Sequence, residues 1–200
     1  MICEKSLPSQ AGMTDGDFMI TYRNLEEHEI TLPLFDAFQR RQIVTKCWRR
    51  EAGRWVIRED PFIDEWSPKD YAFLVKCLRN TVDSGGIVYG AFARQVLKGF
   101  VSVEPQLFGG IHKYMDLTSI HVSADMRGAG IGRALFLMAK TWAREHGAKK
   151  LYISAHSAVE TQAFYRAMGC KEATVYQQAH IEAEPFDCQL ECILEDERSK

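Results

Sequence analysis

Two hydrophobic periods run along this chain, and the places where one gives way to the other predict its elements. Weak alternation over residues 17–23 (DFMITYR) predicts a first strand. Residues 29–41 (EITLPLFDAFQRR) read as a helix, with Pro33 close enough to its start to be tolerated. IVTKCWRR and RWVIRED, split by Glu51-Ala52-Gly53, read as a hairpin inserted near residues 42–60. Ser67 is the candidate N-cap of a helix over 68–82, with Pro68 at its first position and Asp83-Ser84-Gly85-Gly86 closing it. IVYGAFAR and VLKGFVSVE then form two strands around a turn at Gln95, and YMDLTSIHV (114–122) is a third. From Ile131 the apolar positions 131, 134, 135, 138, 139 and 142 fall on one helical face. Gly147 ends that helix and KKLYISAH returns as a strand. A last hairpin runs from ATVYQQ to CQLECIL.

Strand, loop, helix and strand in succession predict a right-handed crossover between parallel strands, hence an α/β fold. The chain has 200 residues, 46% of them apolar, enough for one domain with a sizeable core. The domain is expected over 17–195, with a disordered lead-in at 1–16 and a tail at 196–200. A net charge of −2 argues against a non-specific nucleic-acid binder. Cys3, Cys47, Cys77, Cys170, Cys188 and Cys192 contain no C-x-x-C pair, so reduced, buried thiols in a cytoplasmic protein are the simplest reading. No apolar run reaches the length of a membrane span, and the first residues lack the apolar core of a signal peptide.

The chemistry concentrates in DMRGAGIGRALF, residues 125–136, where three glycines alternate just before a helix. A helix N-terminus offers unpaired N–H groups and the positive end of the dipole, and glycines let an anion approach the main chain directly. The expected ligand is a phosphate or diphosphate. A nucleoside-triphosphate loop would need Gly-Lys-Ser/Thr, which the chain lacks, and a dinucleotide fingerprint would need a glycine where Arg133 stands.

The run Arg127-Gly128-Ala129-Gly130-Ile131-Gly132 resembles the Arg/Gln-x-x-Gly-x-Gly/Ala loop of the GNAT superfamily of acyl-CoA N-acyltransferases. FYRAMGC (164–170) is similar to that family's aromatic-Tyr-x-x-x-Gly-Phe helix, with Cys170 in place of the Phe. The resemblance implies a single GNAT-like domain with a twisted mixed sheet flanked by helices. It implies acetyl-CoA as acyl donor, no metal, and acetyl transfer to a primary amine through a tetrahedral intermediate. On it, Arg127, Gly128, Ala129, Gly130, Ile131, Gly132 and Arg133 would hold the diphosphate, and the main chain of Ile120, His121 and Val122 the pantetheine. Tyr165 would protonate the departing thiolate. Ser157 stands where many members carry an Asn that contacts pantetheine, although Ser157 and Glu160 also spell a capping box.

Strand alternation puts Asp116, Thr118, Ile120 and Val122 on one face and His121 on the other. Asp116 matches a position used by the family's general base and is the leading candidate, acting through water. Thr118 matches another such position; it cannot ionise at neutral pH but could position a water. His121 is expected to be a hydrogen-bonded histidine under the helices.

For the acceptor, residues 179–187 carry His180, Glu182, Glu184 and Asp187, and REDPFIDEW carries Asp60, Asp64, Glu65 and Trp66. Carboxylates and an aromatic suit a cationic amine. Trp66, Thr118, Glu182 and Glu184 are the substrate candidates. The acceptor class is a small amine such as an amino acid, polyamine or aminoglycoside-like compound. A protein N-terminus or lysine, or a CoA-binding sensor without turnover, are the alternatives. Neither nucleic acid nor membrane is an expected partner, and the inserted hairpin could cover the acceptor site or form a homodimer contact.

Overall fold

The computed structural model describes residues 19–194; the expected lead-in, the first two residues of the expected first strand and the tail lie outside them. Nine strands and four helices follow in order: β1 (Ile20–Asn24), β2 (Arg41–Glu51), β3 (Arg54–Glu65), α1 (Pro68–Asp83), β4 (Ile87–Ala93), β5 (Val96–Val103), β6 (Tyr114–Val122), α2 (Ile131–Glu145), β7 (Lys150–Ala155), α3 (Val159–Ala167), β8 (Lys171–Glu172), α4 (Gln178–Ala183) and β9 (Cys188–Ile193). Seven strands form one mixed sheet in the order β1-β4-β5-β6-β7-β9-β8, and β2 and β3 form a separate two-stranded ribbon.

Each face of the sheet carries a helical layer. On one, α2 buries Ile131, Leu135, Phe136 and Ala139 against Val101, Leu117 and Leu151 of the strands. Ile131, Leu135 and Phe136 each stabilise the fold by about 1.5–3 kcal/mol. Gly99 of β5 admits the first turn of α2: a Cβ there would lie 2.7 Å from Ile131 Cγ2. On the other face, Leu74 and Leu78 of α1 pack with Phe35, Phe38, Phe92 and Phe100. Ser67 caps α1 with its hydroxyl accepting from the Asp70 amide, and Asp70 returns the favour to the Ser67 amide at 2.7 Å.

Several sequence expectations are corrected. Residues 29–41 hold no α-helix; two 3₁₀ turns, Glu27–Glu29 and Leu32–Phe35, lead into an extended run that docks through Gln39 on Ser123. The inserted hairpin is longer than 42–60 and spans 41–65, reversing at Ala52-Gly53, both with positive φ, as a two-residue turn of that hand requires. ATVYQQ is not a strand. β8 stops at Glu172 because the Thr174 amide donates to the Glu191 carboxylate at 3.0 Å instead of to a strand carbonyl, and residues 178–183 wind into α4.

The alternation along β6 is also broken. Ser102 pairs with Ser119 but Val103 pairs with Leu117, so Thr118 is the extra residue of a β-bulge, and its Oγ1 lies 2.8 Å from Ser102 Oγ. The bulge shifts the phase. Leu117 joins Ile120 and Val122 on the α2 face, while His121 keeps the opposite face that alternation gave it, on the α1 side against Phe100.

Finally, Ser157 and Glu160 form no capping box. The N-cap of α3 is Ala158, without a side-chain bond. Ser157 instead belongs to the ribbon: its carbonyl accepts from the Trp48 amide at 2.8 Å and its hydroxyl from Arg49 at 2.6 Å. The five described cysteines are all free, Cys77 half-buried and the other four buried. Among the described residues no helix is long and apolar enough to cross a membrane.

Candidate active site

Among the described residues β6 and β7 are the only parallel neighbours in the sheet, and they pair over just three positions, Tyr114 with Lys150, Met115 with Leu151 and Asp116 with Tyr152. Beyond Asp116 they part. β7 continues its ladder with β9 as far as Ala155 and Cys188, and β6 continues with β5 as far as Val122 and Gly99. The β6 edge facing β7 is therefore left without a strand partner over its upper half. Unpaired main-chain donors and acceptors of this kind need a partner if they are to leave water.

The gap is the lower part of a cavity of about 940 Å3. Ile120, His121 and Val122 line it from β6, Ser154 and Ala155 from β7, and Tyr165 from α3. Its upper wall is the turn leading into α2, with Arg127, Gly128, Gly130, Ile131, Gly132 and Arg133 all on the surface of the cavity. The three glycines serve different ends. Gly128 and Gly130 have φ of +81° and +79°, which favours glycine, and a Cβ at either would meet nothing within 4 Å. Gly132 is helical, and its Cβ would press on Phe164 at 3.3 Å. Gly130 is the N-cap of α2 and supplies no side-chain acceptor, so the first amides of the helix stay free for a ligand. Burial, reinforced by the nearby Arg40, holds the Arg127 guanidinium below its ordinary value, a penalty that a bound anion would offset.

Charge of both signs lines the cavity. Arg127, Arg133 and Arg40 reach its wall, as do Asp64, Glu184 and Asp187, with Asp64 paired to Arg40. Arg40 is 9% exposed, rests over the Trp66 ring at 5.2 Å, and has no partner for its Nε and Nη1. The ribbon supplies Gln42, Ile43 and Asp64, so it forms a side wall of the cavity.

The expected site residues are not all brought together. Tyr165 is buried, packs edge-on against Phe136 and lines the cavity; burial pushes its hydroxyl well above the ordinary tyrosine range. Thr118 and Glu184 also line it. Asp116 does not. Its Oδ2 bonds His180 Nε2 at 2.5 Å and its Oδ1 is buried without a partner. Ala129, Ser157 and Glu182 lie off the cavity wall as well, Glu182 accepting from Gln178 along α4. Trp66 is present, but its ring already carries Arg40 and meets His121 edge-on at 4.7 Å. His121 makes aromatic contacts in place of the expected hydrogen bond. Burial, then Arg40 and Arg127, drive its imidazole down to about 3, so it is neutral at physiological pH.

Asp187, Ser154, Arg40 and His156 line the cavity without having been singled out from the sequence. The signal for Asp187 was present in its acidic loop, but its position depends on the β7–β9 register, which places Cys188 opposite Ala155.

The model of the acetyltransferase (GNAT) family matches residues 36–170. No match was found among curated protein sequences. Among solved structures, nourseothricin acetyltransferase is 21% identical with a TM-score of 0.59, covering 86% of this chain and 95% of its own. A Bacillus anthracis str. Ames protein assigned as a streptothricin acetyltransferase, in complex with acetyl coenzyme A, is 16% identical with a TM-score of 0.64, covering 86% and 96%. The YhbS N-acetyltransferase of Escherichia coli, in complex with CoA, is 15% identical with a TM-score of 0.56, covering 92% and 87%. At these identities the likeness is one of fold, and the family match extends from the segment before the ribbon through the glycine turn to the end of the α3 motif. The chain belongs to the acetyltransferase (GNAT) family.

Proposed function

We propose that this protein transfers the acetyl group of acetyl-CoA to a primary amine of a small molecule. One observation carries the reading: the unpaired upper edge of β6 and the glycine-lined N-terminus of α2 open into one cavity that also holds Tyr165 and the carboxylates Glu184 and Asp187. Acetyl-CoA supplies the thioester, an activated acyl group with a thiolate as leaving group. The free amides from Gly128 to Gly132, with Arg127 and Arg133, suit its diphosphate. Ala129 contributes to the turn that aims those amides. The exposed main-chain edge at Ile120, His121 and Val122 suits the amide groups of pantetheine. Tyr165 hydroxyl has no hydrogen-bond partner among the described residues, which leaves it free to donate to the departing sulfur. The burial that raises Tyr165 acts in the same sense on a thiolate beside it, so the proton transfer is not opposed.

The lining carboxylates support a cationic acceptor, since an ammonium group entering the cavity has Glu184 and Asp187 to meet. Two of the structural relatives are named for small-molecule acceptors, nourseothricin and streptothricin, which agrees with a small acceptor here. The test is calorimetric titration with acetyl-CoA, followed by thiol release with a panel of polyamines, amino acids and aminoglycosides. Acetyl-CoA at about 100 times its Kd should stabilise the fold by about 2.7 kcal/mol. Tyr165→Phe should slow turnover at least about tenfold with acetyl-CoA affinity unchanged. A protein that neither binds acetyl-CoA nor releases thiol would refute the reading.

A further inference from the structure

We propose that Asp187 is the general base that takes the proton from the acceptor amine, and that Ser154 is its positioning residue. This rests on the acetyl-transfer reading above. Asp187 immediately precedes β9, whose first residue pairs with Ala155 at the top of β7. It therefore sits beside the end of β7, bonded to Ser154 of that strand, and shares the cavity with Ile120, Val122 and Tyr165. A base on one wall and an acid on another then bracket the place where the thioester would lie.

The Asp187 carboxylate is held by a chain of hydrogen bonds that all run one way. The Gln177 amide donates to Tyr152 Oη at 2.8 Å, and Tyr152 donates to Gln189 Oε1 at 2.6 Å. Gln189 Nε2 donates to Ser154 Oγ at 3.0 Å, and Ser154 donates to Asp187 Oδ2 at 3.2 Å. Each donor's proton is committed by the link before it, so Ser154 has its hydroxyl proton aimed at Oδ2. Oδ1 has no hydrogen-bond partner among the described residues and is not among the polar atoms sealed from solvent. One oxygen is anchored and the other is available, which is what proton abstraction needs.

The surroundings tune it. Burial raises the proton affinity of Asp187, Ser154 opposes, Glu184 raises it and His180 lowers it, leaving the carboxyl at about 6. The titratable groups facing it are Glu184 from its own segment, His180 from α4, Tyr165 from α3 and Cys188 from β9. Such a group is mostly ionised at neutral pH yet a stronger base than an ordinary aspartate.

The competing groups are each set aside by a contact or by exposure. Asp116 is off the cavity wall, with one oxygen on His180 and the other sealed. His121 is wedged between Trp66 and Phe100 and is too weak a base at about 3. His156 Nδ1 accepts from the Ala158 amide at 3.2 Å, so its proton sits on Nε2 and the ring has no free lone pair. Glu160 and Glu184 are exposed.

The chemistry balances as follows. The ammonium of the acceptor gives one proton to Asp187 Oδ1, which passes it to solvent. The freed nitrogen lone pair forms the C–N bond to the thioester carbonyl carbon. When the C–S bond breaks, sulfur leaves with the bonding pair and takes the Tyr165 hydroxyl proton. The nitrogen then loses its second proton through Asp187 and water to restore Tyr165. The sum is ammonium plus acetyl-CoA giving acetamide, CoA thiol and one proton.

The test combines calorimetry with acetyl-CoA and single-turnover thiol release between pH 5 and 9, using spermidine, L-lysine and kanamycin as probe acceptors. For the wild type we expect a rate limb near pH 6. Asp187→Asn should bind acetyl-CoA within about twofold of wild type, release thiol about 100-fold more slowly and lack that limb. Ser154→Ala should keep the limb but move it to higher pH, because the lost hydrogen bond favoured the ionised carboxylate; this variant decides the matter even if Asp187→Asn does not fold. A limb unchanged in both variants overturns the assignment, and so does loss of the limb in Asp116→Asn alone. Acetyl-CoA binding without thiol release from any probe overturns the base together with the amine acceptor. Absence of acetyl-CoA binding overturns the transferase reading itself.

Discussion

Glu191 lies within β9 and Asp187 just before it, and the sheet treats these two carboxylates in opposite ways. Glu191 lies where β6 and β7 are still paired. Its side chain is fully buried and accepts from Tyr114 Oη at 2.5 Å, Lys150 Nζ at 2.9 Å and the Thr174 amide at 3.0 Å. Burial alone would raise its proton affinity, but Tyr114, Thr174 and Lys150 outweigh it and hold the carboxyl at about 2. Asp187 lies where the strands have separated. Burial, with a single hydroxyl donor to oppose it and a like-charged neighbour in Glu184 to add to it, raises it to about 6. A few residues apart in sequence, full hydrogen-bond satisfaction makes a charge structural, and partial satisfaction beside a cavity makes one available for chemistry.

The largest expected effect tests the closed end. Glu191→Gln leaves Lys150 beside a neutral group and should destabilise the fold by about 3–4 kcal/mol. For a domain of this size that lowers Tm by about 10 °C. Acetyl-CoA affinity should not change. A loss of affinity without a loss of Tm would mean that the paired and the parted regions of the sheet are not separate in function.

A somewhat smaller effect tests the open end. Gly130→Val meets no steric obstacle, since a Cβ at that position has nothing within 4 Å. Its cost is a β-branched residue at φ +79°, which is about 1–2 kcal/mol, and the turn can relieve that strain by re-aiming the amides that precede α2. Acetyl-CoA should bind about 100-fold more weakly, about 2.7 kcal/mol. Unchanged affinity in a calorimetric titration would remove the diphosphate from this turn.

Both ends were only partly legible in the chain. The helical period of Ile131, Leu135 and Ala139, and the Ser67-Pro68 start, are local signals, and α2 and α1 follow them. The glycine turn was legible because φ above zero selects residue type directly. Residues 29–41 misled because Ile30, Leu34, Phe35 and Phe38 are spaced like a helix face. Their burial is against Phe100 and α1, which 3₁₀ turns can satisfy equally. The bulge at Thr118 leaves no mark in composition, yet one extra residue moved Leu117 onto the face of Ile120 and Val122 and cancelled the alternation argument for Asp116. Asp187 could not be distinguished from its loop neighbours because its chemistry arises from Ser154, 33 positions away in sequence.

The smallest effect sets the two carboxylates against each other directly. Glu191 is ionised more readily in the folded protein than in the unfolded chain, at about 2 against an ordinary 4.5, so its stabilisation is complete above about pH 4.5 and fades as pH falls toward 2. Asp187 is shifted the other way, about 6 against 3.8, so its contribution is complete below about pH 3.8 and is lost as pH rises through 6. Denaturant titrations at pH 4, 5 and 7 should therefore show opposite trends. The deficit of Glu191→Gln relative to wild type should shrink toward pH 4. Asp187→Asn, which cannot ionise, should gain on wild type between pH 4 and 7, by about 1 kcal/mol once access of water to the cavity is allowed for. Parallel trends in the two variants would mean that water reaching the cavity solvates Asp187 as fully as the unfolded chain does, and the distinction between a satisfied and an unsatisfied carboxylate would then fail at the site where the proposed chemistry needs it.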